Sequence, residues 1–363
     1  MPTHDGELSL FDGQDADRCP SIVVAVLTYQ RSNLLERLLA EFSRIELPSN
    51  MRTTLLVVDN DENGSARTVV EAHRNQIPEL HYVVEPTSGI PCARNRAINE
   101  ALSLQADVLC FIDDDEYPDH QWLVKLVETW RQSPANLIGG PVSVAPADTS
   151  LGRWQKLINR GLAARQQRQN RAAANSPVHS HRPTIVTNDW LRDLHWLEQA
   201  GIRFDERLLV TGGSDTSFFM AAIARGCKTA WCPDAVVYET VTPDRLSLRY
   251  QFHRGKSQSI THFHMKHQPI ALVIAALTAV NAIVRFILGC LLFMLPVYGT
   301  ASLVMAVRSL GWAVGRIQAL LGVQSKLYDR KAGSDHRAGR PHLPVSRDCS
   351  STGQRPCCTK QVA

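Results

Sequence analysis

Four short apolar segments alternate with helical segments in the first third of the chain, and this alternation limits the folds available to it. We predict strands at Ser21–Leu27, Thr54–Val58, Leu80–Val84 and Val108–Ile112. The spacing of apolar residues predicts helices between them, at about Asn33–Ile45, Ala66–Asn75 and Ala93–Leu104. Strands that need burial on both faces and alternate with helices are typical of an α/β fold with a mostly parallel, doubly wound sheet.

Polar residues follow three of these strands directly, at Thr28–Arg31, Asp59–Asp61 and Asp113–Glu116. Ligands of open α/β sheets bind outside the carboxyl ends of the strands, so we expect these residues to converge on one site. No G-x-G-x-x-G fingerprint follows the first strand, and the chain has no G-x-x-x-x-G-K-[ST] loop. These absences argue against a dinucleotide-dependent dehydrogenase and against a P-loop NTPase.

The run Asp113-Asp114-Asp115-Glu116 ends the fourth predicted strand. Four adjacent carboxylates repel one another unless a positive charge lies among them. A hard cation such as Mg²⁺ or Mn²⁺, shared with a substrate diphosphate, would relieve that repulsion. At an extended strand end, Asp113 and Asp115 would face one side and Asp114 the other. The alternative is a solvated acidic loop.

The second half of the chain is less regular. A strand is expected at Leu137–Val142, another at Thr184–Asn188, a helix from Thr211–Asp215 through Ala224, and short strands at Thr229–Cys232 and Val236–Tyr238. Between Thr149 and Asn188 the chain has basic residues but no acidic one, which favours an anionic partner or a solvated basic helix. A net charge of +4 is too small to indicate nucleic-acid binding.

Two apolar runs, Ile270–Val284 and Phe286–Val307, follow and are separated by Arg285. The second is long enough to cross a bilayer, and basic residues flank the pair, so we predict a membrane hairpin or a re-entrant insertion. A soluble helical pair is the alternative. Residues 1–20 and 330–363 are polar and are expected to be disordered. The N-terminus lacks a signal-peptide pattern, and the cysteines lack metal-ligand spacing, so we expect reduced thiols in a cytosolic setting.

The strand-end motifs resemble those of the family 2 glycosyltransferases, which have the GT-A nucleotide-diphospho-sugar transferase fold. The resemblance is carried by Val26–Arg31, Val57–Asn60, Gly89–Asn95, Asp113–Asp115 and Gly212–Asp215, in that order. The chain is similar in particular to bacterial exopolysaccharide and succinoglycan-type transferases. It implies a glycosyltransferase domain at 21–265, with a nucleotide-binding half at 21–120 and an acceptor half at 121–265. A membrane-associated helical segment would then occupy 269–323.

The resemblance also implies a nucleotide site. Thr28 and Tyr29 would line the base and ribose with Arg31 nearby, and Asp59 would accept a hydrogen bond from the base. Arg94 would meet the nucleotide or its phosphates, since a guanidinium pairs with phosphate in bidentate fashion. Two alternatives remain open: Asp59 could cap a turn, and Arg94 could pair with Asp113 or Asp114 in a surface network.

By the same resemblance, Asp113 and Asp114 contact the nucleotide, Asp115 is the direct metal ligand and Asp113 belongs to the metal shell. The role of Glu116 stays open, because many relatives have aspartate there. A cation bridging Asp115 and the diphosphate would neutralise the charge that grows on the leaving group.

Asp215 is the candidate general base, because inversion needs a carboxylate opposite the leaving diphosphate. Gly213 lets the backbone turn tightly beside the sugar, and Asn188 matches a family position near the donor sugar. The alternative for Asp215 is that it only N-caps the following helix. Trp190 and Trp196 could stack on a sugar, although core packing is the more common use of tryptophan.

Gln251 and Arg254 fall where processive relatives carry Q-x-x-R-W, and they are expected to reach the diphosphate from a mobile loop. A solvated basic loop is the alternative. Gly255 replaces the tryptophan of that motif, which favours a single transfer over processive synthesis.

The predicted activity is inverting, metal-dependent transfer of one sugar from a nucleotide-sugar donor, expected to be a UDP-sugar, to a polyprenyl-diphosphate-linked saccharide acceptor. The location would be the cytoplasmic face of the cell membrane, with no nucleic-acid partner. Two alternatives are a nucleotidyltransferase and a non-catalytic membrane-bound component of a polysaccharide assembly complex. The first would normally show a glycine-rich basic loop after its first strand, which is absent here.

Overall fold

The computed structural model of the 363-residue chain describes residues 18–174, 189–208, 213–266, 272–294 and 299–324. The strands are β1 Ser21–Thr28, β2 Arg52–Asp59, β3 Leu80–Val84, β4 Val108–Asp113, β5 Glu116–Pro118, β6 Leu137–Gly139, β7 Val142–Val144, β8 Asp189–Asp193, β9 Thr229–Trp231 and β10 Val237–Glu239. The helices are α1 Ser32–Phe42, α2 Arg67–His73, α3 Ile90–Ser103, α4 Trp122–Gln132, α5 Arg153–Ala174, α6 Leu194–Gln199, α7 Ser214–Ala224, α8 Leu248–Lys266, α9 Leu272–Met294 and α10 Thr300–Leu320. Short 3-10 turns lie at Glu206–Leu208 and Pro243–Arg245.

The main sheet has seven strands in the order β3-β2-β1-β4-β8-β6-β9. The first four strands along the chain are parallel, as predicted, whereas β8 runs antiparallel to β4 and β6. In the register of β1, Thr28 lies beside Asp59 and Leu27 lies beside Asp113. The three polar strand ends therefore meet at one edge of the sheet, which confirms that expectation. A smaller sheet, β5-β10-β7, adjoins this edge through β5.

Side chains that alternate along β1 enter two apolar layers. Val24 and Val26 pack against α1, α2 and α4 on one face, whereas Val23 and Ala25 pack against α3, α6 and α7 on the other. All four are at most 1% exposed. This double burial explains why β1 is continuously apolar, and it confirms the doubly wound α/β architecture.

The predicted strand at Leu137–Val142 is two strands in different sheets. The chain leaves β6 at Gly139 and enters β7 at Val142. At Gly140 a Cβ atom would overlap the Ala235 carbonyl oxygen and the Asp189 carboxylate, so only glycine fits this crossing. The predicted strand at Thr184–Asn188 lies outside the described residues. The sheet instead contains β8, whose polar sequence lacks the apolar alternation that predicts a strand.

The C-terminal helices correct the predicted division of the apolar runs. Arg285 does not interrupt a helix: it lies inside α9, with its guanidinium 5.6 Å from the centroid of the Trp312 ring. Helix α9 ends at Met294, and α10 begins at Thr300. Of the described helices, only α9 is long and apolar enough to cross a membrane, over Val273–Met294 with a mean hydropathy of 2.1. The run Phe286–Val307 is therefore not a single span.

Helix α10 lies among α5, α8 and α9, and small residues permit its close packing. At Gly255 of α8 a Cβ atom would lie 2.5 Å from the carbonyl oxygen of Arg308. A Cβ at Gly311 of α10 would overlap the carbonyl of Phe252. By contrast, α9 packs through one narrow stripe, and most of its apolar surface is exposed.

Candidate active site

The acidic turn, Asp113–Glu116, lies where the main sheet meets the smaller sheet. The carboxylate of Asp114 is buried and accepts hydrogen bonds from Thr28 Oγ1 at 2.9 Å and from Arg31 Nη1 at 3.1 Å. Burial raises the pKa of Asp114 to about 7 despite the charge of Arg31. Thr28 is itself buried and positions the acidic turn, so the described geometry does not present it to a base.

Asp115 lies between two arginines. Its Oδ2 accepts a hydrogen bond from Arg245 Nη1 at 3.1 Å and lies 3.5 Å from Arg31 Nη1. Arg245 belongs to no motif that the sequence shows, and it lies in the 3-10 turn between β10 and α8. Its nitrogen also lies 3.9 Å from the carboxylate of Glu239. Asp115 and Arg31 lie close together, as the predicted convergence of the strand ends requires, and Arg245 is a further residue of this group.

The side chains of the acidic turn do not alternate as an extended strand would. Asp113 ends β4, and Asp114 and Asp115 form a turn in which both contact Arg31. This corrects the expectation that Asp113 and Asp115 share a side while Asp114 points away. Glu116 begins β5 and accepts a hydrogen bond from the Asp113 backbone N–H at 3.1 Å. Burial raises the pKa of Asp113 and holds that of Glu116 well above its usual range.

The donor set of the acidic turn fits a hard divalent cation. The four carboxylates of the turn and Glu239 outnumber the four guanidiniums whose charges reach them, those of Arg31, Arg94, Arg245 and Arg254. Burial raises the pKa of Asp113, Asp114, Glu116 and Glu239. Oxygen ligands suit Mg²⁺ or Mn²⁺. Within the described ranges, no three acidic, histidine or cysteine side chains are placed to hold a metal ion by themselves. A metal here would therefore need substrate phosphates to complete its coordination, as is common for Mg²⁺.

The structure favours the capping alternative for Asp59, whose side chain is fully buried. Its oxygens accept hydrogen bonds from the backbone N–H of Asp61 at 3.1 Å, from that of Ala66 at 2.7 Å and from the Tyr82 hydroxyl at 2.9 Å. These contacts hold the loop after β2 and leave no oxygen facing a base. Tyr29, at 40% exposure, is the open side chain on this side of the site.

Arg94 forms an ion pair with Asp215, which neither alternative for Arg94 anticipated. Arg94 lies on α3, is 5% exposed, and has its guanidinium 5.2 Å from the centroid of the Phe204 ring. Its charge also acts on Asp113, where it opposes the pKa rise that burial causes. One arginine therefore lies between the acidic turn and the candidate base.

Asp215 lies in the first turn of α7 and is not the N-cap. Gly213 holds that position with φ +91°, a left-handed conformation that suits glycine, and no side chain caps the helix. This contradicts the alternative in which Asp215 only caps α7. The side chain of Asp215 is 43% exposed although Oδ1 is buried against Arg94, so Oδ2 is the oxygen that faces the solvent.

The segment that holds Gln251 and Arg254 is helix α8, which corrects the prediction of a mobile or solvated loop. Gln251 is 2% exposed, and its amide donates to the Arg245 carbonyl at 2.9 Å and accepts from Arg308 Nη1 at 2.9 Å. It is therefore a packing residue, not a diphosphate contact. Arg254 donates to the Tyr250 hydroxyl at 3.3 Å.

Asn188 lies outside the described residues, so its predicted place near the donor sugar stays a prediction. Trp190 is 1% exposed and belongs to the apolar core, and Trp196 packs against the same core, which favours packing over sugar stacking for both. The sequence did not single out Arg192 of β8, which is fully buried between the rings of Trp190 and Phe218.

Three comparisons place this architecture among known proteins. The family model "Glycosyl transferase family 2" matches residues 23–194. Succinoglycan biosynthesis protein ExoM of Rhizobium meliloti is 33% identical over 250 residues, which cover 66% of this chain and 74% of that protein. Glycosyltransferase AglE of Haloferax volcanii is 22% identical over 242 residues, covering 66% of this chain and 73% of that protein.

A solved structure of mannosyltransferase PcManGT from Pyrobaculum calidifontis, in complex with GDP-Man and Mn²⁺, superposes with a TM-score of 0.52 at 20% identity. The superposition covers 83% of this chain and 88% of that one, and it supports a shared GT-A-like fold. Together with the ExoM match and the sheet-edge site, it leads to one assignment. This chain belongs to glycosyl transferase family 2 and is a glycosyltransferase.

Proposed function

We propose that the protein transfers a single sugar, with inversion, from a nucleotide-sugar to a lipid-linked saccharide acceptor during synthesis of a succinoglycan-type polysaccharide. The 33%-identical relative ExoM is named as a succinoglycan biosynthesis protein, and this supports a role in making a polysaccharide of that type. The observation that carries the chemistry is the Arg94–Asp215 pair, because Arg94 also acts on Asp113 of the acidic turn. Glycosyl transfer needs a base beside the acceptor hydroxyl and groups that stabilise the leaving diphosphate. The proposed base and the acidic turn would meet these two needs, with one guanidinium between them.

Asp215 is the proposed general base. The charge of Arg94 favours the ionised carboxylate and fixes Oδ1, so Oδ2 is free to accept a proton from an acceptor hydroxyl. The position of Asp215 in the first turn of α7 further stabilises the anion, since a helix N-terminus carries partial positive charge. Deprotonation of the hydroxyl would raise its nucleophilicity as it attacks the anomeric carbon.

The acidic turn and its arginines form the proposed donor side. Arg31 and Arg245 are placed to pair with the donor diphosphate, and Asp115 and Asp113 would hold Mg²⁺ or Mn²⁺. When bound, the cation would offset the negative charge that develops on the leaving diphosphate. Support for a metal comes from the excess of buried carboxylates, and the PcManGT structure contains Mn²⁺ with GDP-Man. We retain a UDP-sugar as the expected donor, to be tested against GDP- and dTDP-sugars.

Exposed apolar residues of α9 support association with a membrane, and we place the protein at the cytoplasmic face of the cell membrane. Gly255 supports a single transfer, because the packing of α8 on α10 leaves no room there for the tryptophan of processive relatives. Family membership removes the nucleotidyltransferase alternative. The non-catalytic alternative is decided by assay.

The test is nucleotide release by detergent-purified protein from UDP-, GDP- and dTDP-sugars with Mn²⁺ or Mg²⁺, with and without membrane lipid extract. We expect one donor to be used, with stimulation by the lipid. Asp215→Asn should abolish transfer and keep donor binding, whereas the matched control Asp205→Asn, a surface residue paired with Arg207, should keep both. Transfer by Asp215→Asn at the wild-type rate would contradict the assignment of the base. Donor binding with no turnover in any lipid would favour the non-catalytic alternative.

A further inference from the structure

Four helices of this chain, α5, α8, α9 and α10, contain no aspartate or glutamate but many arginines and lysines. Helices α5 and α10 meet at Gly161, where a Cβ atom would lie 2.7 Å from the Thr300 carbonyl oxygen and from Val304 Cγ2. Helices α8 and α10 meet at Gly255. This packing draws basic residues of three helices together without a carboxylate on any of them.

One arginine from each of three helices converges at these crossings: Arg165 of α5, Arg254 of α8 and Arg308 of α10. We call them the arginine cluster. All three are half-buried. The guanidinium of Arg308 donates to two neutral amides, Gln251 Oε1 at 2.9 Å and Gln258 Oε1 at 2.8 Å. Arg165 donates no hydrogen bond to the part of the chain that the structure describes. These contacts orient the guanidiniums and leave their positive charge in place.

The charges of the cluster act on one another. Burial and the charges of Arg165 and Arg254 lower the pKa of Arg308 to about 9, and burial and Arg254 lower the pKa of Arg165. Glu239 is a carboxylate whose charge reaches Arg308 and Arg254, and it also faces Arg245. Like charges held together in a partly buried site form a receptor for an anion.

The position of the cluster indicates which anion it binds. Glu239 lies between it and the Asp115–Arg245 pair, so the cluster borders the donor side but is separate from it. On its other side, α10 packs against α9, whose exposed surface is apolar over most of its circumference. A ligand that places phosphate at the cluster and a hydrocarbon chain along α9 fits both surfaces.

We propose that Arg165, Arg254 and Arg308 bind the phosphate groups of the lipid carrier to which the acceptor saccharide is attached. This inference rests on the proposed function, and it moves Arg254 from the donor diphosphate to the acceptor. The chemistry recognised is a diphosphate on a long apolar chain. Bound there, the carrier would direct its saccharide past Glu239 toward the active site.

The probe is farnesyl diphosphate, a short prenyl diphosphate, titrated calorimetrically into the full chain in neutral detergent. A saturating nucleoside diphosphate occupies the donor site during the titration. We expect wild-type protein to bind the probe, and Arg165→Gln and Arg308→Gln each to weaken binding about tenfold or more, since each loses a charge-assisted contact. The matched control is Arg160→Gln, an exposed arginine of the same helix α5, which should bind as wild type.

Unchanged binding in Arg165→Gln overturns the proposal. This variant is decisive even if Arg308→Gln fails to fold, because Arg165 makes no hydrogen bond within the described ranges that its replacement would remove. Inorganic diphosphate that binds as tightly as the probe, or phosphatidylglycerol vesicles that displace it at equal phosphate, would also overturn the proposal, since the lipid carrier would not be the ligand. Sugar transfer by a protein that does not bind the probe overturns this inference alone. Transfer by Asp215→Asn overturns only the catalytic assignment.

Discussion

Arg192 has a fully buried guanidinium between two aromatic rings, and we predict that its replacement by methionine stabilises the protein. None of its three side-chain nitrogens has a hydrogen-bond partner in the described structure. Its guanidinium carbon lies 4.5 Å from the centroid of the Trp190 ring and 4.0 Å from that of Phe218. The rings supply attraction, but they do not replace the hydrogen bonds that water gives to the unfolded arginine.

The magnitude follows from two opposing contributions. Burial lowers the pKa of Arg192 to about 9 from an ordinary 12.5, which corresponds to roughly 5 kcal/mol of destabilisation of the charged form. Each desolvated cation–π contact returns about 2 kcal/mol. The net cost is therefore on the order of 1 kcal/mol, and methionine, which keeps much of the apolar volume, should recover it. Buried ion pairs replaced by apolar residues gain about 1–4 kcal/mol.

The assay is thermal and urea unfolding of the detergent-purified protein, followed by tryptophan fluorescence. We expect Arg192→Met to raise the midpoint by about 2 °C for each kcal/mol. The matched control Arg225→Met, at an exposed arginine, should leave it unchanged. Above pH 9 the unfolded chain binds a proton that the folded Arg192 has released, so wild-type stability rises with pH and the advantage of the variant shrinks. A lower midpoint for Arg192→Met at pH 7 would refute the reasoning, because the rings would then outweigh desolvation.

Two further predictions concern the C-terminal helices. Gly255→Ala should lower the unfolding midpoint, because the added Cβ would lie 2.5 Å from the Arg308 carbonyl oxygen. The clash should outweigh the gain of about 1 kcal/mol that alanine brings to a helix relative to glycine. The control Ser257→Ala, on the same helix, should not lower the midpoint. Ile287→Lys, on the exposed face of α9, should reduce flotation of the protein with liposomes, since a lysine in the bilayer costs about 3 kcal/mol. The control is Leu47→Lys. Equal flotation of the two variants would show that α9 does not enter the membrane.

The region of the first four strands was predictable because these strands are buried on both faces. A short, continuous apolar run such as Val108–Ile112, in alternation with helices, is typical of a central strand of a parallel sheet. The polar residues that follow such strands then lie together at the carboxyl edge of the sheet. Strand β8 was not predictable by the same means. Its sequence Asp189-Trp190-Leu191-Arg192-Asp193 places charges where a central strand normally has apolar residues, and neighbouring strands supply the pairing that its own pattern does not indicate.

Part of the candidate site was predictable from the strand-end motifs, but the contacts within it were not. The sequence places Arg94 and Asp215 in separate motifs, and no local rule says that their side chains meet across α3 and α7. Asp59 shows the converse: a strand-end carboxylate looks like a ligand contact until its three internal donors are counted. Arg245 lies outside every motif, so only the fold brings it to Asp115.

The matched family region ends at residue 194. Asp215, Arg254 and Arg308 lie beyond it, on α7, α8 and α10. In the proposed function, the acidic turn holds the nucleotide-sugar and its metal, whereas the later helices hold the acceptor. A shared first half that binds the donor, followed by helices that hold an apolar carrier and its phosphates, would let acceptor choice change without disturbing the donor site. Exchanging α8–α10 between relatives should therefore alter acceptor use and leave nucleotide-sugar preference unchanged.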